Sequence, residues 1–205
     1  MKILIFDSET TGLPNYNERA RHPSQPHIVE LSALLYTDTG EKLSEYTALS
    51  KPDGWVISPE MTAIHGISHA QACMHGISEK AIAEAAFKMI READIIAAHN
   101  LMFDKFIVRC ALRRYEIMTD ADDEAWKSKR GVCTMREMTP HCKLPGLNGN
   151  HKYPKLIEAY RHAFKADFDG AHSALADCLA ACRLFFWLKN SGHIQLKELD
   201  LAQAN

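Results

Sequence analysis

The chain has 205 residues, 46% of them hydrophobic and 24% charged, with a formal net charge of −2. That length buries a substantial core as one domain, and the composition excludes a largely disordered or repeat-built chain. The near-neutral charge excludes nucleic-acid binding through overall positive charge, so any such binding has to be local.

Residues 2–7 are a short apolar run closed by a Thr-Thr-Gly turn signal, which predicts a buried strand whose tip carries Asp7 and Glu9. The opening apolar run is too short for a signal peptide, and no stretch of about 18 apolar residues follows. A soluble, cytoplasmic protein with no membrane association is expected. Residues 28–36 and 43–50, separated by a Gly-containing turn, predict a β-hairpin. Ser58 and Pro59 suit the cap and first position of a short helix, and an apolar stripe through Ile82, Ala85, Ala86, Met89 and Ile90 predicts a longer helix over 78–92.

Residues 95–98 predict a fourth strand, with Asn100 as cap of a helix running to about Tyr115. A polar stretch over 119–129 leads to a short strand at 131–133. Helices follow near 134–141, 153–164 and 173–189, with 144–150 as a loop and the residues after about Ser191 as a loosely attached tail. A hairpin followed by alternating helices and strands points to a mixed sheet with helices on its faces.

Basic residues gather at Arg19, Arg21 and His22, and again from Lys127, Lys129 and Arg130 through Arg136, Lys143, Lys152 and Lys155. Such runs are ordinarily solvated surface. The first sits in the long segment 14–27 beside the acidic strand tip, where an entering strand needs positive charge, and is expected to contact substrate phosphate. The six cysteines contain no Cys-x-x-Cys pair and lie in apolar surroundings, which predicts reduced core thiols. His141 and Cys142 are adjacent and so are poorly disposed to share a zinc ion.

Three motifs carry acids. Asp7 and Glu9, two apart on a strand, project from one face and repel each other unless a cation intervenes; alone they would be an ordinary solvated strand end. Asp104 falls in the first turn of a helix that follows a strand, which suits the helix dipole but also places it where open α/β sheets build their sites. His172 and Asp177 lie five apart, a spacing that makes sense if His172 precedes the helix, Ser173 caps it and Asp177 sits one turn in.

The segments FDSETTG (6–12), HNLMFD (99–104) and HSALAD (172–177) together closely resemble the DEDDh exonucleases. This DnaQ-like family includes the proofreading subunit of bacterial DNA polymerase III and ribonuclease T, and the resemblance covers about residues 1–190, with SPEMTAIHGI (58–67) and residues 153–164 as softer matches. The resemblance implies an α/β, ribonuclease H-like fold: a mixed five-stranded sheet flanked by helices in a single domain over 1–190, with 191–205 as a C-terminal tail. It implies that Asp7, Glu9, Asp104 and Asp177 hold two divalent ions, Mg²⁺ or Mn²⁺, with His172 as general base. By the same analogy Thr10, Thr11, Leu13, His65, His99 and Phe103 surround the terminal nucleotide.

The implied activity is release of nucleoside 5′-monophosphates from a 3′ end, of DNA in proofreading or repair. Alternatives are an exoribonuclease trimming RNA or short oligomers, and an inactive binding module. Proofreading would require a polymerase partner in trans.

Overall fold

In the computed structural model, which describes residues 1–196, the acidic strand tip belongs to the central strand of a mixed sheet. Strand β1 (Lys2–Thr10) pairs antiparallel with β2 (Ile28–Thr37), and β2 pairs antiparallel with β3 (Lys42–Lys51). A two-residue strand, β4 (Ile77–Ser78), runs parallel to β3, while β5 (Ile95–Ala98) is parallel to β1 and β6 (Gly131–Cys133) is parallel to β5. The order is therefore β4-β3-β2-β1-β5-β6. Among the described residues the sheet has six strands where five were expected, the addition being β4, which is too short to leave a periodic signal in the sequence.

Among the described residues eight helices pack on this sheet: α1 (Pro59–His65), α2 (His69–His75), α3 (Glu79–Glu92), α4 (Leu101–Arg114), α5 (Asp120–Lys127), α6 (Thr134–Cys142), α7 (Leu156–Phe164) and α8 (Ala174–Asn190). The run Ile3-Leu4-Ile5-Phe6 is apolar without alternation because helices cover both faces of β1. Leu4 and Phe6 pack with Ile82, Ala86, Ile107 and Ala111 of α3 and α4. Ile3 and Ile5 pack with Met138, Ala159, Cys178, Ala181 and Phe185 of α6, α7 and α8. Each fully buried Ile or Phe of these layers is worth about 1.5–3 kcal/mol relative to exposure. All six cysteines are free thiols, and among the described residues no metal-ligating cluster includes His141 and Cys142.

Local signals explain several boundaries. Ser58 accepts a hydrogen bond from the Met61 N–H with Pro59 in the first turn, as expected, and Ser78, at the expected start of α3, accepts from the Ala81 N–H. The expected caps Asn100 and Ser173 make no side-chain cap bond. Instead, the Glu30 carboxylate on β2 accepts the Ala174 N–H at 2.8 Å, so a distant strand closes the start of α8. Helices α2 and α5 replace segments left without a helix by the sequence. Both open with capping boxes, Ser68 with Gln71 and Thr119 with Asp122, and α5 is anchored by buried Trp126 and by Arg109, which donates two bonds to Asp123. At the C-terminal end, Ile194 and Leu196 are buried against the α8 layer, while residues 197–205 of the expected tail lie outside the described residues. Among the described residues no helix is long and apolar enough to cross a membrane.

Candidate active site

The alternation of β1 sorts the site residues onto two faces of the sheet. Asp7 and Glu9 share the face of Ile3 and Ile5, beneath α8, and Asp177 in the first turn of α8 meets them there. Single oxygens from Asp7, Glu9 and Asp177 all lie within 4.8 Å of one another. Ser8 points to the opposite face, where its N–H and its hydroxyl donate to Asp104 Oδ1 at 3.0 and 2.8 Å. Asp104, only 3% exposed, therefore reaches the strand tip from the α4 side and stands outside the three-acid group. Where the acids end the register shifts, Glu9 pairing with Glu30 and Thr10 with Ile28, so Val29 is an extra residue that bulges β2 beside the site.

Repulsion and burial dominate the electrostatics. Burial first, then the charges of Asp104, Asp177 and Glu9, pushes the Asp7 carboxyl well above the ordinary carboxylate range. Burial together with Asp177 and Glu30 raises Glu9 to about 7. Asp104 also rises to about 7, chiefly by burial, although the Ser8 bonds favour its charged form. Burial raises Asp177, against which the His172 N–H donating to Oδ2 at 3.3 Å acts. The second oxygen of Asp177, Oδ1, is buried with no hydrogen-bond partner. An orphaned oxygen on a carboxylate grouped with two others is costly unless a cation completes the arrangement. An all-oxygen donor set of this kind suits hard divalent ions such as Mg²⁺ and Mn²⁺.

His172 adopts a left-handed backbone conformation, φ 69°, one residue before the α8 cap. The residue is exposed, and its backbone N–H is tied to Asp177. Around the acids, Thr10 Oγ1 donates to the Gly12 carbonyl at 2.7 Å, and Thr11 Oγ1 accepts the His27 N–H at 2.9 Å. Both threonines thus shape the turn. Leu13, 86% exposed, stands beyond it, and Phe103 packs partly against the α3/α4 layer. His65 is 6% exposed; its Nδ1 accepts the Ile67 N–H, which leaves Nε2 as the proton-bearing nitrogen, buried without a partner.

His99, expected around the terminal nucleotide, has its ring engaged within the protein. At 8% exposure its Nδ1 lies 3.1 Å from Thr134 Oγ1 and its Nε2 lies 3.0 Å from the Pro154 carbonyl, so both nitrogens are occupied. Burial lowers its pKa to about 4 and keeps the ring neutral. Its structural consequence is to tie the end of β5 to α6 and to the segment before α7.

Sequence reasoning missed Glu30. It lies directly across the ladder from Glu9, adds its charge to Asp7 and Glu9, and holds the first turn of α8 that carries Asp177. The hairpin register that places it there is set by pairing, for which the isolated string Ile28-Val29-Glu30 contains no signal.

The exonuclease family model matches residues 4–185. The PolC-type DNA polymerase III of Latilactobacillus sakei subsp. sakei is 25% identical over 204 residues, covering 100% of this chain and 12% of that protein. Escherichia coli exonuclease I in complex with a dT13 oligonucleotide superposes with a TM-score of 0.70 at 20% identity, covering 92% of this chain and 41% of that one. The same enzyme with a 5cy-dA13 oligonucleotide gives 0.66 at 20% identity, covering 97% and 41%. The chain therefore spans less than half the length of each of these proteins. Such structural similarity at low identity establishes the fold, and the family match over most of the sequence establishes the lineage: the chain belongs to the DnaQ-like 3′–5′ exonucleases.

Proposed function

We propose that the chain is a metal-dependent exonuclease that removes nucleoside 5′-monophosphates one at a time from a 3′ end, with DNA as its principal substrate. The observation that carries this reading is the convergence of Asp7, Glu9 and Asp177 within 4.8 Å, with one Asp177 oxygen buried and unpartnered. Two Mg²⁺ or Mn²⁺ ions held by these three residues, with Asp104 approaching from the other face, would neutralise the phosphodiester and make a bound water acidic near neutrality.

The chain's own groups perform the remaining tasks. The exposed imidazole of His172 takes the proton of the attacking water, and its backbone bond to Asp177 keeps that base beside the acids. Ser8 holds Asp104 in register with the strand tip through its paired bonds. Thr10 and Thr11 fix the turn that receives the terminal nucleotide, while Leu13 and Phe103 offer apolar surface to its base and sugar. The unpartnered Nε2–H of His65 offers a donor to the same nucleotide. DNA as substrate is favoured because the relatives named above are a DNA polymerase and an exonuclease bound to deoxyoligonucleotides. A proofreading role would have a polymerase partner in trans.

The test is product analysis on 3′- and 5′-labelled DNA and RNA, with Mg²⁺ or Mn²⁺ and with EDTA. Mononucleotides released from 3′ ends only with metal are expected. Asp7→Ala should abolish release, and His172→Ala should lower it by about 10²–10⁴-fold, the range for loss of a general base. Hydrolysis persisting in both variants overturns the assignment, and RNA cleaved faster than matched DNA overturns the substrate preference.

A further inference from the structure

Segment 14–27, between β1 and β2, is a built loop. Gln25 is buried and its carboxamide occupies the loop's centre: Nε2 donates to the Asn15 carbonyl at 2.8 Å and to the Arg19 carbonyl at 3.3 Å, and Oε1 accepts the Asn15 N–H at 3.1 Å. The far end is anchored on Glu79, which accepts the Ile28 N–H and a bond from Arg114, while Arg114 also donates to the Gln25 and Pro26 carbonyls. Loop residues Arg19 and Arg21 are thus presented on a fixed backbone.

The loop lies over the outward face of α4. Tyr16 packs against Phe106 with ring centroids 5.0 Å apart, and this pair, with Arg109, lines two neighbouring cavities. One, of about 250 Å³, is lined by Met102, Lys105 and Trp126 as well as the aromatic pair. Trp126 brings to that wall an indole N–H buried without an acceptor among the described residues. The other, of about 470 Å³, is lined by Arg19, Arg21, Arg109 and Arg113 together with Glu18 and Asp120. The site end of this groove is near, because Met102 and Lys105, which line it, flank Asp104 in the first turn of α4. From Asp104 to Arg113 the helix rises about 14 Å, which spans about four phosphates at the B-form spacing of about 3.4 Å and fewer in a stretched strand.

In a protein of net charge −2, a cavity with four arginines against two acids, Glu18 and Asp120, is a local excess of positive charge suited to an anion. Arg109 is committed to Asp123, and Arg113 pairs at 2.9 Å with Asp120, a solvent-exposed and readily exchanged partner. Among the described residues the side chains of Arg19 and Arg21 have no hydrogen-bond or ion-pair partner. Aromatic surface next to unpaired guanidinium groups is the composition of a single-strand track, where bases stack and phosphates meet cations.

We infer that this groove receives the single-stranded segment on the 5′ side of the nucleotide being removed, with bases against Tyr16, Phe106 and Met102 and phosphates at Arg19, Arg21 and Arg113. The inference rests on the exonuclease reading for its direction and goes beyond it in naming the path and the substrate form. It makes the enzyme length-dependent: a dinucleotide ends at the acids, whereas a strand of five or more nucleotides fills the groove.

The test uses the full chain and 5′-labelled oligothymidylates of two to ten nucleotides, with two readouts. In hydrolysis with Mn²⁺, kcat/KM of the wild type should rise about ten- to a hundredfold from dimer to hexamer, the scale of one or two bases stacked and phosphates paired, and then level off. The Arg19→Gln/Arg21→Gln double variant and Tyr16→Ala should flatten most of that rise. Binding of the octamer in EDTA, read by fluorescence anisotropy, should weaken in both, and the double variant's log–log salt slope should become shallower by about 0.7 for each phosphate that is no longer neutralised. Gln25→Ala, which releases the loop without touching the arginines, should weaken octamer binding in the same way. Unaltered length dependence, or unaltered binding and salt slope, overturns the groove. Octamer binding that depends on these arginines in a protein that hydrolyses nothing would support the groove and refute the exonuclease reading instead.

Discussion

Glu9→Gln should make the metal-free protein more stable while destroying its activity. In the folded protein the Glu9 carboxyl titrates at about 7, against an ordinary 4.5, because it is buried beside Asp177 and Glu30. A raised carboxyl pKa means that the folded state binds the proton more tightly than the unfolded chain does. The resulting penalty is absent below pH 4.5, grows as the pH rises and is complete above about 7. A fully shielded group would lose about 3 kcal/mol, and solvent screening of this partly exposed one reduces that to about 1–2 kcal/mol. For a chain of this size the gain at pH 8 corresponds to about 3–6 °C in Tm. Circular dichroism melts in EDTA at pH 8 and pH 5 measure it, and the advantage of the variant should vanish at pH 5. Saturating Mg²⁺ or Mn²⁺ should invert the order, since a ligand at 100 times its Kd stabilises by about 2.7 kcal/mol and the variant lacks one ligand. A Glu9→Gln protein that melts below the wild type in EDTA at pH 8, or a wild type indifferent to divalent ions, refutes the repulsion argument.

Two other perturbations probe the scaffold around the acids. Glu79, whose side chain is 1% exposed, accepts bonds from Arg114, Tyr115 and the Ile28 N–H and lies 2.7 Å from His27 Nδ1, so Glu79→Ala should cost about 3–5 kcal/mol in urea unfolding, with Glu79→Gln costing less. Burial raises its pKa but the His27 bond and the Arg114 charge outweigh that and lower it on balance, so its contribution is present above pH 4.5 and lost as the pH falls further; an Ala variant within about 1 kcal/mol of the wild type at pH 7 counts against the node. Glu30→Ala removes the acceptor for Ala174 and should raise the Mn²⁺ concentration needed for half-maximal hydrolysis about tenfold, whereas Glu30→Gln keeps the acceptor and should raise it less; equal effects would mean that Glu30 acts through its charge and not through its hold on α8.

Much of the architecture was legible because its causes are local. The unbroken apolar run of β1, the Gly40 turn between β2 and β3, and the Ser58 cap each act within a few residues. The acidic motifs were legible for a different reason, since Asp7 and Glu9 at the strand tip, Asp104 in a first helical turn and His172 with Asp177 carry their spacing with them. Helix α5 was not legible, because a stretch of acids and lysines becomes helical here by burying Trp126 and pairing Asp123 with Arg109 of another helix. His99 stood out as part of a motif, yet only packing against Thr134 and Pro154 reveals that both its nitrogens are taken.

By itself the amino-acid sequence determined the lineage, the strand and helix sequence around the core, and the identity of the residues bearing the acids, because those depend on periodicity and on short motifs. Tertiary structure alone decided that Asp104 approaches from the opposite face to Asp7, Glu9 and Asp177, that Glu30 joins them, and that Arg19 and Arg21 share a cavity with α4. Each of those facts depends on ladder register or helix docking. Such relations join residues as distant in the chain as Asp7 and Asp177, over which no local propensity acts.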